Sequence, residues 1–463
     1  MTLLGNYVDQ LELAEPLGIC GSVDSVRGLT VRAVDLPLPV DSSVEILTSH
    51  GERVSGQVVG FDHQYAMIMP LGSVQGIARG NAVRGVSTAQ RIVCSPFLIG
   101  RVIDALGQPR DEKGPIRVPE YRSINVRGVD CMKRVPITEP IGTGIRAVDA
   151  LMTCGMGQRM GIFAGPGVGK SILMSMIAKY TSADVAVIAL IGERGREVQD
   201  FLQNSLGPEG LKRSVVIVST ADDSPLLRVR GARVACTVAE YFRDQGKNVL
   251  LLLDSLTRMA QAQRQIGLSV GEPPATKGFT PSVFALLPEI LERAGRTAHG
   301  SITGFYTILV EGDDFNEPIA DAVKGITDGH LWLDRHLANR GHFPAVHVLQ
   351  SISRVRPDVT DKEQQAAARR VSELLATYAD LEDLVSIGAY SPGNNVLNDL
   401  AVRMQGRITE FLRQGMSNRV TFAEAKVALL DLVVAIQREQ KAIEQQARQG
   451  TGGQQAAAKT ARK

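Results

Sequence analysis

The densest chemistry in the sequence lies in Ala164-Gly165-Pro166-Gly167-Val168-Gly169-Lys170-Ser171. Apolar Met160-Gly161-Ile162-Phe163 precedes it and an apolar run from Ile172 to Ala178 follows, so strand, Gly-rich turn and helix are expected in that order. In that context backbone N–H groups converge on phosphate oxygens and the helix N-terminus adds positive potential. Gly165, Pro166, Gly167, Val168 and Gly169 would then wrap the phosphates of ATP, Lys170 would reach the β and γ phosphates, and the Ser171 hydroxyl would ligate Mg²⁺. The strict pattern G-x-x-x-x-G-K-[ST] has Gly where Ala164 stands, a small-for-small departure. A dinucleotide fingerprint fits less well: Lys170 occupies the place of its third Gly, and Gly142-Thr143-Gly144 has no strand before it.

A phosphate-binding loop that hydrolyses needs two further groups. An acidic residue at the end of a second buried strand must hold Mg²⁺ through water, and Val249-Leu250-Leu251-Leu252-Leu253-Asp254 supplies one. By itself Asp254 could equally be a turn residue; the upstream loop makes it the Mg²⁺ partner. Another group must polarise water opposite the γ-phosphate. The apolar run Val185–Ile191 ends in Gly192-Glu193-Arg194-Gly195-Arg196-Glu197, and functional groups in open α/β sheets sit just beyond strand carboxyl ends. Glu193, the first charge off that strand, is the better base candidate, with Glu197 as the alternative.

The elements that must position these groups follow from texture. Residues 1–90 hold short period-2 runs punctuated by Gly and Pro, which predict a small all-β unit, barrel or sandwich. Residues 91–140, rich in Gly, Pro and charge, predict an extended connector. Between 141 and 357, continuous apolar runs alternate with helical stretches, the pattern of a parallel sheet in an α/β domain. Residues 358–448 read as helical, and 449–463 as a low-complexity, mildly basic, disordered tail.

Composition narrows the classes. A chain of 463 residues, 44% hydrophobic and 22% charged, can build a buried core and has room for roughly three domains. Lys and Arg total 51 against 49 Asp and Glu, a net charge of +2 that argues against a protein built to coat nucleic acid. The 5 cysteines are scattered and form neither a zinc pattern nor a disulfide framework, which predicts reduced thiols in the cytoplasm. Asp9, Glu12 and Glu15 make a poor signal peptide. No apolar run approaches the roughly 20 residues that span a bilayer, so peripheral contact is the expected limit.

Taken together, the motifs resemble the hexameric rotary-type ATPase superfamily, and within it the type III secretion export ATPases, the flagellar member in particular. The strings that carry the resemblance are Pro140–Asp149, Phe163–Ser171, Ile191–Val198, Asp254–Arg264, Gly271–Lys277, Glu311–Asp314 and Ser351–Arg354. Ala164 matches this family. The resemblance runs from about residue 20 to 440. It implies an α/β fold: a central RecA-like P-loop nucleotide-binding domain with an N-terminal β-barrel and a C-terminal helical domain. It further implies Lys170, Glu193, Arg194, Arg258 and Arg354 as catalytic residues, Arg354 being a finger inserted into a neighbouring subunit's site. Phe343 would stack on adenine, and the other half of that pocket would fall near Phe411–Met416. Gly271–Phe279 and the acidic Glu311–Glu317 would face the central channel of a ring.

The implied partners are five further copies in a homohexamer, a central stalk protein, a stator-like regulator, the export gate, chaperones and export substrates. Nucleic acid is not among them. The implied place is the cytoplasm, peripherally at the inner membrane. Alternatives are an injectisome export ATPase or the catalytic subunit of a rotary F/V-type ATPase; against the latter, Gly388-Ala389-Tyr390 lacks an acidic lever of the F-type β kind. An RNA-translocating helicase should carry a basic, aromatic-rich domain, and the chain is only 5% aromatic. A non-catalytic regulatory subunit would not need Lys170, Glu193 and Asp254 together.

Overall fold

The computed structural model describes residues 18–118, 120–310 and 317–460. It contains two compact units, each assembled from two stretches of chain: Met1–Pro136 with Ala183–Thr327, and Ile137–Ser182 with Asp328–Lys463. The stretch 141–357, expected as one domain, contributes to both.

In the first unit, β1 (Cys20–Arg27), β2 (Thr30–Val34), β3 (Ser43–Leu47), β4 (Arg53–Asp62), β5 (Tyr65–Pro70) and β6 (Ala82–Ser87) close an antiparallel barrel in the order β1-β2-β5-β4-β3-β6. Alternation explains it: every second residue of β3 and β6 points inward, and Val31, Val44, Ile46, Ile68 and Val83 fill the interior. The same unit holds parallel strands in the order Val102–Asp104, Ser214–Thr220, Val185–Glu193, Asn248–Asp254, Ser301–Leu309. Their near-continuous burial is that of strands covered on both faces.

The first of these strands lies within residues 91–140, expected as an extended connector. There Val102–Asp104 joins the sheet beside Ser214–Thr220, and Arg91–Cys94 pairs with Glu120–Ser123. Three residues between turns carry no readable period, so only the neighbouring strand reveals them. Arg293 is 1% exposed and donates from Nε and Nη2 to both carboxylate oxygens of Glu240, at 2.8 and 2.6 Å. It also donates to the Ile124 carbonyl at 3.0 Å, tying the connector to the helix Pro225–Asp244. Removing one partner from such a buried pair costs roughly 3–5 kcal/mol.

In the second unit, Arg159–Ala164 pairs in parallel with Gly329–Leu333, which Ile352–Ser353 flanks antiparallel. Phe163 stacks on Trp332 with centroids 5.8 Å apart. The helices Lys362–Ser386, Val396–Leu412 and Phe422–Thr460 pack on one another through Val371, Leu374, Met404, Ile408, Leu429 and Ile436, as the helical pattern predicts. The last helix continues through residue 460, into the stretch expected as a tail.

Candidate functional site

Arg159–Ala164 is buried from its second residue and delivers the chain to the loop. Val168, 2% exposed, anchors the loop from below, while Pro166 and Gly167 are exposed. Gly167 has φ +78° and Gly169 φ +91°, left-handed conformations that cost a residue with a Cβ, and a Cβ on Gly167 would meet nothing within 4 Å. Backbone conformation, not crowding, therefore requires glycine at 167. Gly169 caps the helix Lys170–Tyr180, whose buried face runs from Leu173 to Ala178. The first turn, with Lys170 half-buried and Ser171 exposed, presents N–H groups that have no intrahelical partner.

Phe343 stands beside this loop. Its ring lies 3.4 Å from where a Cβ on Gly169 would be, and the ring is 42% exposed. The Gln414 N–H donates to the Phe343 carbonyl at 2.9 Å. The Gln414 side chain, 7% exposed, accepts from the Arg146 N–H at 2.8 Å and donates to the carbonyls of Gly144 and Asn418 at 2.8 and 2.7 Å. Arg146 in turn lies over the Phe411 ring at 5.4 Å and donates from Nε to the Phe411 carbonyl at 2.6 Å. Phe343, Arg146, Phe411, Arg413 and Gln414 line a cleft of about 900 Å³, of the size that takes a nucleoside. The apolar faces and the guanidinium suit an aromatic base. Sequence reasoning reached only the vicinity of Phe411–Met416. Arg146 lies within Pro140–Asp149 with no role legible from its neighbours, and Gln414 carries no local signal.

Asp149 is fully buried and accepts from the Thr143 N–H and Oγ1 at 2.9 and 2.7 Å and from the Gly144 N–H at 3.2 Å, fixing the turn that precedes the helix Arg146–Leu151. Burial pushes its carboxyl up to about 7, against the pull of those hydrogen bonds. Arg354 follows Ile352–Ser353 in the same unit. Its backbone N–H donates to the Asp328 carbonyl at 3.0 Å, and its exposed guanidinium has no ion-pair or hydrogen-bond partner among the described residues.

In the first unit, Val185–Glu193 ends in an irregularity: Ile191 pairs with Ser219 and Glu193 with Thr220, leaving Gly192 over. Such a bulge re-aims the following side chain. Gly192 has φ +72°, and a Cβ there would meet the Cβ of Arg258 at 2.8 Å, so glycine lets the strand end and Arg258 approach. Glu193 is partly buried. Glu197, in contrast, lies on the helix Gly195–Asp200, exposed and 3.9 Å from Arg194, itself 80% exposed. That arrangement makes Glu197 the surface charge of the two.

Asp254 ends the adjacent strand opposite Leu190, is 4% exposed, and accepts from Thr307 Oγ1 at 2.7 Å. Ser255 then caps the helix Leu256–Ser269 that carries Arg258. The structure thus gathers Glu193, Arg194, Asp254 and Arg258 in one unit, and the loop, Phe343 and Arg354 in the other. The donors fit the groups expected of them. Asp254 and Ser171 offer hard oxygens suited to Mg²⁺, and Arg258 Nε is buried without a hydrogen-bond partner among the described residues, as an anion-binding guanidinium would be. The acidic loop at Glu311–Asn316 lies outside the described residues.

Comparison with known proteins supplies the lineage. Residues 144–353 match the ATP synthase alpha/beta family, nucleotide-binding domain, and residues 360–431 match the T3SS EscN ATPase C-terminal domain. The chain is 47% identical over 432 residues to the flagellum-specific ATP synthase of Bacillus subtilis (strain 168), covering 92% of this chain and 98% of that one. It is 46% identical over 395 residues to the type 3 secretion system ATPase of Xanthomonas euvesicatoria, covering 85% and 89%. The assembled ATPase EscN, solved in complex with its central stalk EscO from the enteropathogenic E. coli type III secretion system, superposes with a TM-score of 0.82 at 39% identity, over 89% of this chain and all of that one. The chain belongs to the family of flagellum-specific ATP synthases and type III secretion ATPases.

Proposed function

We propose that this chain is the ATPase of a flagellar type III protein-export apparatus, working as a ring of identical subunits with a stalk in its channel. What supports the reading is a chain alike, over nearly its full length, to flagellum-specific ATP synthases, carrying the residue types that hydrolysis would need. Glu193 and Asp254 end adjacent parallel strands, and the loop meets its helix at Lys170. Among the described residues no helix is long and apolar enough to cross a membrane, which agrees with a cytoplasmic chain held peripherally at the inner membrane.

In this mechanism the loop N–H groups and Lys170 bind and orient the β and γ phosphates of ATP, and Phe343 with Arg146 holds the base. Ser171 and Asp254 would hold Mg²⁺, which when bound draws charge from the phosphate oxygens. Glu193 accepts a hydrogen bond from the attacking water and fixes its line of approach. Arg258 and Arg194 add positive charge around the transferring phosphoryl, and Arg354 does so from the next subunit. Coupling of hydrolysis to chaperone release and substrate export is what the resemblance to export ATPases implies.

The test is ATP hydrolysis per subunit by the purified chain over a wide range of protein concentration. The rate should rise as larger species form. Glu193→Gln should retain nucleotide binding and lose turnover. Equal rates at every concentration with an unchanging monomer, or a Glu193→Gln chain that hydrolyses normally, would sink the reading.

A further inference from the structure

One residue before Arg354, the second unit holds a buried polar knot, and Gln158 is its centre. The Gln158 side chain is fully buried. Its Oε1 accepts from the Gly155 N–H at 2.8 Å, which turns the amide nitrogen toward the other side. There Nε2 donates to Ser353 Oγ at 3.0 Å and to the Asp328 carbonyl at 3.2 Å, with the Met160 sulfur at 3.1 Å. Ser353 Oγ in turn donates to the Thr153 carbonyl at 2.8 Å. The same Asp328 carbonyl accepts the Arg354 N–H at 3.0 Å. Gln158 therefore holds the backbone under Arg354 at two points: the residue before it, and the carbonyl that takes its N–H.

The knot is also the root of the strand Arg159–Ala164, which leads to the phosphate-binding loop. Arg159 donates its backbone N–H and Nε to Oδ2 of Asp328 and Nη2 to Oδ1, each at 3.0 Å. Six extended residues reach roughly 20 Å, so the loop lies at one end of this strand and the base of Arg354 at the other. A connected, satisfied set of buried hydrogen bonds is rigid. We infer that Gln158 is a positioning residue for hydrolysis in the neighbouring subunit, because it fixes the backbone from which Arg354 extends. The inference rests on Arg354 acting in trans, as proposed above. A long side chain delivers its charge accurately only from a fixed base, and a misplacement of about 1 Å can cost about 10²-fold in rate.

Gln158→Met keeps the length of the side chain and removes both amide groups. The variant should bind ATP as tightly as the native chain, since its own loop is intact, while hydrolysis per subunit falls about 10- to 100-fold. Mixed rings, verified with differently tagged subunits, show where the defect is felt. Lys170→Ala chains carry Gln158 and Arg354 intact, so mixing them with Gln158→Met should give more hydrolysis than the two separate rates summed. Mixing Gln158→Met with Arg354→Ala should give no such gain. If Gln158→Met does not assemble, Ser353→Ala, which removes the same hydrogen bond from its other end, takes its place. The inference is overturned if Gln158→Met hydrolyses at the native rate or loses ATP binding along with turnover. It is equally overturned if Gln158→Met fails to complement Lys170→Ala where Arg354→Ala succeeds. Failure of both pairs instead removes the trans finger on which the inference rests.

Discussion

Thr307 Oγ1 donates a 2.7 Å hydrogen bond to Oδ1 of Asp254 across two adjacent parallel strands, and both residues are buried. A carboxylate at a strand end can rotate; this bond fixes how the Asp254 carboxylate is turned, which would matter to a Mg²⁺ that it helps to hold. Groups that orient a metal's ligands typically contribute about 10–100-fold in affinity or activity. Thr307→Val preserves shape and removes the donor. The Mg²⁺ concentration for half-maximal ATP hydrolysis should rise about tenfold, with folding intact because valine fits the strand. An unchanged Mg²⁺ dependence would detach Thr307 from the metal.

Phe343 offers an exposed ring beside Gly169, and Gln414 holds its carbonyl while bridging to Gly144 and Arg146. Stacking of an aromatic pair contributes about 0.5–1.5 kcal/mol beyond area burial, so Phe343→Ala should weaken ATP binding by about three- to tenfold or slightly more. Inorganic triphosphate, which has no base, should bind the variant and the native chain alike. Gln414→Leu should also weaken ATP binding, because it strands the Arg146 N–H and the Gly144 carbonyl. Equal losses for ATP and triphosphate in Phe343→Ala would point to a disturbed loop instead of a base contact, read directly by titrating both ligands.

The readability of this site followed the range of the forces that build it. The phosphate loop was legible because Gly167 and Gly169 need left-handed backbone, and because Lys170-Ser171 must open a helix after a buried strand. Asp254 and Glu193 were legible as the first charges after apolar runs. Thr307 was not: it reads as one more β-branched residue until the register sets its strand beside Asn248–Asp254. Gln414 was hidden for the same reason, since its partners Gly144 and Arg146 lie far away along the chain. The barrel was visible in alternation, whereas Val102–Asp104 was too short for any period to register.

Asp149 makes stability depend on pH in an unusual direction. Burial raises its folded-state pKa to about 7 from an ordinary 3.8. Between those values the folded chain holds a proton that the unfolded chain has released, so its contribution is complete below 3.8 and is lost as pH rises toward about 7. The change amounts to a few kcal/mol, at about 1.36 kcal/mol per pKa unit. Asp149→Asn cannot titrate there. The difference in thermal midpoint between native and Asp149→Asn chains should therefore shift in the variant's favour from pH 4 to pH 8. A difference that is constant, or moves the other way, would mean that the Thr143 and Gly144 hydrogen bonds keep the carboxylate ionised in the fold.

The Arg354 guanidinium is exposed and has no ion-pair or hydrogen-bond partner among the described residues, although Arg159, in the same unit, forms a 3.0 Å ion pair with Asp328. The resemblance to export ATPases implies that it reaches a neighbouring subunit. If it acts as a finger in trans, it is worth about 10³–10⁵ in rate, so Arg354→Ala should bind ATP normally and hydrolyse at a small fraction of the native rate. Lys170→Ala should also be inactive, but for want of phosphate contacts in its own site. Mixed rings then separate the two defects. A Lys170→Ala subunit still offers Arg354 to its neighbour, and an Arg354→Ala subunit still offers an intact loop, so some interfaces between them are complete. Mixing the two inactive chains should restore measurable hydrolysis, with mixed assembly verified by differently tagged subunits. If verified mixed rings stay silent, Arg354 acts within its own subunit.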